Sequence, residues 1–270
     1  MPRARPTGYP RDRWTFAPRR TPRRSSRAAS SPREIGELDR NRTATVDAIA
    51  VAAAAGADVV VLPELAVSGY VFSGPEEARA LAEALERPTV TAWRALAERH
   101  GLVIVGGLCE RDADGEVRNT AVLVDRHGLQ AVYRKAHLWD REGRVFVAGS
   151  EPPPAVDTEH GRIGLMVCYD LEFPEWVRLA AFAGVELLCA PVNWPLAPRP
   201  DGERGVDWVG GSLIVDPDGF PLAGPARADE VVTVLARCAL GEARDKCVGQ
   251  HNDVLADRRP ELYADVALAD

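Results

Sequence analysis

Three residues able to do covalent chemistry together stand at the ends of apolar runs. Glu64 follows "VVVLP", Lys135 follows "AVYR" and Cys168 follows "GLMV". A cysteine thiol has an ordinary pKa of about 8.5, so at neutral pH it needs a base or a cation to become a thiolate nucleophile. Glu64 can take that proton and later activate a water. Lys135 can favour the thiolate and then stabilise an oxyanion, and the backbone N–H of Tyr169, just past the thiol, can be the second oxyanion donor. Such a set performs covalent acyl transfer. Taken singly, each residue has a plainer reading: a solvated loop glutamate, a surface lysine, a cysteine packed in a buried strand. The chemical reading rests on all three lying at strand ends, where a sheet holds side chains rigidly beside open loops.

The elements that must position them alternate. Residues 43–55 have apolar positions spaced for one helical face, and Gly56 stops them. "DVVVLPE" reads as a short buried strand, and helices are predicted over 76–86 and 89–100. "LVIVGGLCE" is a further buried strand. "NTAVLVDRHGLQAVYRK" reads as two strands around a turn near His127-Gly128. "GRIGLMVCYD", the helix "PEWVRLAAFAG" with Pro174 near its start, and "VELLCAPVNW" continue the alternation. "GSLIVDPDGFPLAG" gives a strand and a Pro-Asp-Gly turn, and "EVVTVLARC" a last strand. This order predicts a layered α/β domain.

Bulk properties narrow the class. The 270 residues are 46% apolar and 27% charged, ordinary for a globular protein able to bury a substantial core. No apolar run approaches the roughly 18 residues of a membrane span. Residues 1–33 hold ten Arg and one Asp, so against a whole-chain charge of −7 the rest carries −16. An acidic body argues against nucleic acid as the main partner. The Arg-, Pro- and Ser-rich stretch has no apolar periodicity and no signal-type apolar core, and is expected to be disordered; residues 34–270 then form one domain. Cysteines stand at 109, 168, 189, 238 and 247, with no C-x-x-C pair. That pattern favours a cytoplasmic protein over a disulfide framework or a zinc site.

The motifs "GADVVVLPELAVSGY", "YRKAHLW", "CYDLEFPEWVRLAAFAG", "APVNWP" and "WVGGSLIVDPDG" resemble, in this order, those of the nitrilase or carbon–nitrogen hydrolase superfamily. The resemblance runs from about residue 36 to 263. It implies a Glu64–Lys135–Cys168 triad, a four-layer α-β-β-α sandwich, a homo-oligomer, and no metal or organic cofactor. It also implies a second glutamate after the lysine motif. Glu142, ahead of Phe146 and Gly149, fits that spacing and would orient Lys135 and bind substrate. His137 and Asn193 fall in family motifs as supporting residues.

Two departures stand out. The family's apolar first strand is replaced by the Arg-rich stretch. Between Trp194 and Trp208, where the family continues through a long helix and a buried strand, only a short linker remains. The fold is therefore expected to be incomplete. The expected activity is cleavage of a small amide through a cysteine thioester, with "CYDLEFPE" closer to the amidase-type branches. N-carbamoyl compounds and nitriles are alternative substrates. A truncated, non-catalytic relative is the alternative from another class.

Overall fold

The structure, a computed structural model, describes residues 23–28, 35–204, 206–227 and 232–263. Along the chain run β1 (Arg23–Ala28), α1 (Leu38–Ala54), β2 (Val59–Val61), α2 (Pro75–Leu81), α3 (Pro88–His100), β3 (Val103–Arg111), β4 (Val117–Asp125) and β5 (Gly128–Arg134). There follow β6 (Ala155–Thr158), β7 (Gly161–Leu165), α4 (Pro174–Phe182), β8 (Leu187–Cys189), β9 (Pro195–Glu203), β10 (Val206–Trp208), β11 (Ile214–Val215), β12 (Pro221–Ala223) and β13 (Thr233–Cys238).

Period-two alternation sorts these strands into layers. One sheet has the order β13-β1-β2-β3-β4-β5, parallel at β1-β2-β3 and antiparallel elsewhere. Its Val60, Ile104, Val122 and Val124 face Ile49 of α1 and Trp93 of α3. The intervening Val59, Val103, Val105 and Leu123 turn the other way, onto Ile163 and Leu165 of a second sheet, β6-β7-β8, and Val167 just beyond β7. On the far side of that sheet, Met166 packs with Ala180 and Trp176 of α4. The layers are therefore α-β-β-α, as the sequence motifs imply.

Three local readings change. Helix α1 begins at Leu38, ahead of residue 43. Helix α2 ends at Leu81 rather than running to residue 86. The chain extends there because the Glu83 N–H donates to the Cys109 carbonyl and the Glu83 carbonyl accepts from Arg111 N–H, both at 2.9 Å. The third change falls in the Arg-rich stretch. Disorder was expected over residues 1–33, yet Arg23–Ala28 forms β1, parallel to β2 and antiparallel to β13. A β-ladder is built from backbone groups that every residue but proline fully supplies, and this window lies between Pro22 and Pro32. The start remains atypical, because "RRSSRA" stands where an apolar strand was expected. The rest of 1–33 lies outside the described residues.

The gap between Trp194 and Trp208 is real at the level of elements. A hairpin, β9-β10, occupies it, with no helix. The second sheet consequently ends at β8, which pairs only with β7 among the described residues.

Candidate active site

Each site residue is fixed by backbone pairing just beyond a strand. The loop after β2 continues alongside β3: Leu62 N–H donates to Val105 O at 2.7 Å, Gly107 N–H to Pro63 O at 3.2 Å, and Ala66 N–H to Gly107 O at 2.8 Å. Glu64 lies between these contacts, and only glycine allows the approach, since a Cβ on Gly107 would stand 2.6 Å from the Glu64 Cα. Lys135 follows β5 directly. Its N–H donates to Asn119 O of β4 and its carbonyl accepts from Gly149 N–H, both at 2.8 Å. A Cβ on Gly149 would overlap the Arg134 carbonyl oxygen.

Cys168 sits past β7 where the line of the strand ends. Met166 N–H still donates to Cys189 O and Cys168 N–H to Pro191 O, at 3.2 and 3.0 Å. Cys168 then adopts φ +48°, a left-handed conformation uncommon for a side-chain-bearing residue, and opens a 3-10 turn to Glu172. Asp170, fully buried, holds that turn. Its Oδ2 accepts from Val167 N–H at 3.1 Å and Tyr133 Oη–H at 2.7 Å, and its Oδ1 accepts from His137 N–H at 3.0 Å. The His137 ring has Nδ1 2.8 Å from Asp170 Oδ1 and stacks on Phe173 at 3.8 Å. His137 thus packs against the turn through Asp170 and Phe173. The Tyr169 N–H belongs to the first residues of this turn, which have no carbonyl partner within it.

These elements bring Glu64, Lys135 and Cys168 together, and Glu142 with them. Lys135 Nζ donates to Glu64 Oε1 and Glu142 Oε1, both at 2.9 Å, in a fully buried pocket of charge. Asn119 Nδ2 donates to the same two oxygens at 2.8 and 3.1 Å. Glu142 also accepts from Tyr70 Oη–H at 2.8 Å and Trp139 N–H at 2.7 Å. Asn193 N–H donates to Glu64 Oε2 at 2.9 Å, and the Cys168 thiol hydrogen-bonds Glu64. Asn119, Tyr70 and Asp170 escaped sequence reasoning. A polar Asn in the buried strand "NTAVLVD" was the available signal for the first, and the letter pair Tyr169-Asp170 for the last.

Burial raises the pKa of Glu64, and the neighbouring Glu142 adds to it, against the opposing pull of Lys135. For Lys135 burial works against the charge, but the carboxylates of Glu64 and Glu142 outweigh it, so its pKa is raised and the ammonium persists. Burial also pushes the Cys168 thiol up, and Glu64 reinforces it more than Lys135 opposes it. Lys135 pulls the thiol toward the thiolate, but burial and Glu64 outweigh that pull. The thiol lies against a carboxylate able to receive its proton.

The carbon-nitrogen hydrolase family profile matches residues 27–203. The chain belongs to the carbon–nitrogen hydrolase family. This hydrolase is 34% identical to a nitrilase from Pyrococcus abyssi, over 85% of this chain and 95% of that one. It superposes on the crystal structure of an amidase from Nesterenkonia sp. with a TM-score of 0.72 and 27% identity, covering 92% of this chain and 97% of that one. A mutant of the Nesterenkonia sp. AN1 amidase, matched at TM-score 0.72 and 26% identity over 93% of this chain and 98% of that one, carries the acetamide moiety of fluoroacetamide covalently on its active site cysteine. This carbon–nitrogen hydrolase is a cysteine-dependent enzyme of the nitrilase superfamily, in its amidase-type branch. Among its described residues no helix is long and apolar enough to cross a membrane.

Proposed function

We propose that this enzyme hydrolyses the carboxamide of a small substrate, with Cys168 as nucleophile, Glu64 as general acid and base, and Lys135 as oxyanion stabiliser. The observation that carries the reading is the left-handed Cys168, its thiol on a buried Glu64 that shares Lys135 with Glu142.

Cys168 Sγ attacks the carbonyl carbon while its proton passes to Glu64, and the carbonyl π pair moves onto oxygen. Lys135 Nζ and the Tyr169 N–H hold that oxyanion. Glu64 returns its proton to the amide nitrogen, the C–N bond breaks, ammonia leaves and a thioester remains. Water then attacks the thioester and gives a proton to Glu64. The second oxyanion collapses, the C–S bond breaks, and sulfur recovers the proton from Glu64 as the acid departs. Glu142 keeps Lys135 aimed, and Asn193 holds the Glu64 oxygen that Lys135 does not touch. His137 acts only through Asp170, bracing the nucleophile's turn.

The test is ammonia release from a panel of small amides, N-carbamoyl amino acids and nitriles, with fluoroacetamide as a trap. Release should be greatest with amides, and the acetamide mass should appear on the Cys168 peptide. Cys168→Ala should abolish release, whereas Cys189→Ala, in the packing between the sheets, should retain it. Equal loss in both variants would overturn the assignment. Preference for carbamoyl compounds or nitriles would keep the mechanism and replace the substrate.

A further inference from the structure

Asn119 carries neither charge nor a place in the covalent steps, yet its side chain touches both carboxylates of the buried cluster. It lies in β4, opposite Cys109 of β3. Its backbone carbonyl accepts from Lys135 N–H at 2.8 Å, which sets where the lysine begins. Its side-chain Nδ2 donates to Glu64 Oε1 at 2.8 Å and Glu142 Oε1 at 3.1 Å, the same two oxygens that share Lys135 Nζ. Lysine and amide thus form opposite corners of a square whose other corners are two carboxylate oxygens.

The amide's orientation is fixed by charge. Turned over, its oxygen would face two carboxylates, both acceptors only. As placed, the Asn119 Oδ1 is buried without a hydrogen-bond partner among the described residues, and the residue is 1% exposed. A polar atom left in that state shows that the geometry is set by the donor end rather than by general satisfaction of the side chain.

We infer that Asn119 is a positioning residue for hydrolysis: it is a fixed neutral bridge that keeps Glu64 and Glu142 in place while the Lys135 ammonium turns to the oxyanion. This rests on the acyl-transfer reading of the site. When the oxyanion forms, Glu64 has taken the thiol proton and Lys135 shares its hydrogens with the oxyanion, so the Glu64 and Glu142 oxygens both lose part of the lysine's hold. An amide carries two N–H groups and no charge, so it can hold both without competing for the oxyanion. A serine could serve only one. The other groups facing Glu64 are the Cys168 thiol beyond β7, the Asn193 N–H beyond β8, and, through Glu142, the Tyr70 hydroxyl. The Asn119 donor favours ionised Glu64 against the burial that disfavours it. Without the amide, Glu64 would accept its proton at higher pH.

The test compares the full-length parent with Asn119→Leu, which keeps the branched heavy-atom skeleton and removes both donors, and Asn119→Ser, which keeps one. With a small amide, kcat should fall about 10- to 100-fold in Asn119→Leu, the fold-change for lost hydrogen bonds to charged groups. KM should change little, and the acid limb of kcat/KM should move up by about one pH unit, with serine intermediate. A second readout needs no turnover: the pH profile for alkylation of Cys168 by iodoacetamide should move the same way. If Asn119→Leu does not fold, the serine variant decides. Loss of amplitude with both profiles unmoved would overturn the inference and leave Asn119 a packing residue. A parent that releases no ammonia, with an alkylation profile that still moves with Asn119, would sink the amidase reading and keep the bridge. A parent that hydrolyses amides, with variants whose profiles stay in place, would sink the bridge alone.

Discussion

Asn193 grips Glu64 twice across 129 residues of sequence: its N–H donates to Glu64 Oε2 at 2.9 Å, and its side-chain Nδ2 donates to the Glu64 backbone carbonyl at 2.5 Å. Glu64 follows a strand of the first sheet, and Asn193 follows β8 of the second. The double contact therefore ties the two sheets together where both end. With Oε1 taken by Lys135 and Asn119, the carboxylate is held from three sides and cannot rotate away from the thiol.

Gly107 is the floor of that arrangement. An added Cβ would meet Glu64 Cα at 2.6 Å, Leu65 N at 2.8 Å and Pro63 O at 2.9 Å, all backbone atoms that no rotamer change can move. Gly107→Ala should shift the Glu64 loop, reduce kcat/KM by about 100-fold, the scale of a 1 Å misplacement, and destabilise the fold by about 1–3 kcal/mol. Steady-state kinetics and thermal unfolding measure both. A parental rate would mean that the loop tolerates displacement.

Lys135→Arg should not behave conservatively. The ammonium is wholly buried between two carboxylates at hydrogen-bond distance. A planar guanidinium fork is larger and directs its donors differently. Turnover should drop by at least about 100-fold, as for loss of an oxyanion donor. Near-parental turnover in a folded variant would place Lys135 outside the oxyanion site.

The meeting of Glu64, Lys135 and Cys168 was legible because each stands at the end of a strand, and that of Glu142 because its spacing to Phe146 and Gly149 fits the family motif. Asn119 was not legible, because its meaning lies in partners 55 and 23 residues away. Asp170 was visible only as a neighbour of the nucleophile, and its tie to Tyr133 spans two layers. The gap before Trp208 could be found by counting residues. The strand β1 could not, since pattern reading seeks apolar alternation while a ladder needs only backbone groups.

The pH dependence has a definite sign. Burial raises the Glu64 pKa above its ordinary 4.5, so the ionised base appears only as pH climbs through a higher value. Lys135, raised above 10.5 by the two carboxylates despite its burial, imposes no alkaline fall below that pH. The stabilising contribution of the lysine's shift is complete below pH 10.5 and is lost as pH rises through its higher folded pKa. Initial rates across the acid range should give a limb in kcat/KM clearly above 4.5. A limb at or below the ordinary carboxylate value would exclude Glu64 as the base.

Deletions in the Arg-rich stretch should separate two parts. Removing residues 1–22 leaves β1 in the sheet; removing 1–28 strips the partner from both β2 and β13. Unpaired edges inside a sheet expose ladder groups and invite pairing with other chains. The longer deletion should melt at a lower temperature and aggregate on heating, and the shorter one should match the parent. Identical melting of all three proteins would show that β1 contributes nothing to the fold.

The last prediction concerns the missing helix and strand. The second sheet stops at β8, and the segment that follows leaves apolar side chains in solvent: Trp194 is 42%, Val215 46%, Leu222 43% and Phe220 69% exposed. β11 and β12 pair only with each other among the described residues instead of extending that sheet. An open edge flanked by exposed apolar surface associates with other chains and with apolar probes. The isolated protein should bind a hydrophobic dye in its native buffer and elute broadly from a sizing column. Replacing residues 196–205 with the helix and strand of a complete relative should pair β8, reduce the exposed apolar surface, quench the dye and raise the yield of soluble protein. The site should gain as well, because Asn193 lies four residues beyond the end of β8 and steadies Glu64. An increase in specific activity alongside dye loss would link the two effects. A parent that is dye-silent, melts sharply and gains nothing from the insertion would show that the β9-β10 hairpin already closes the sheet.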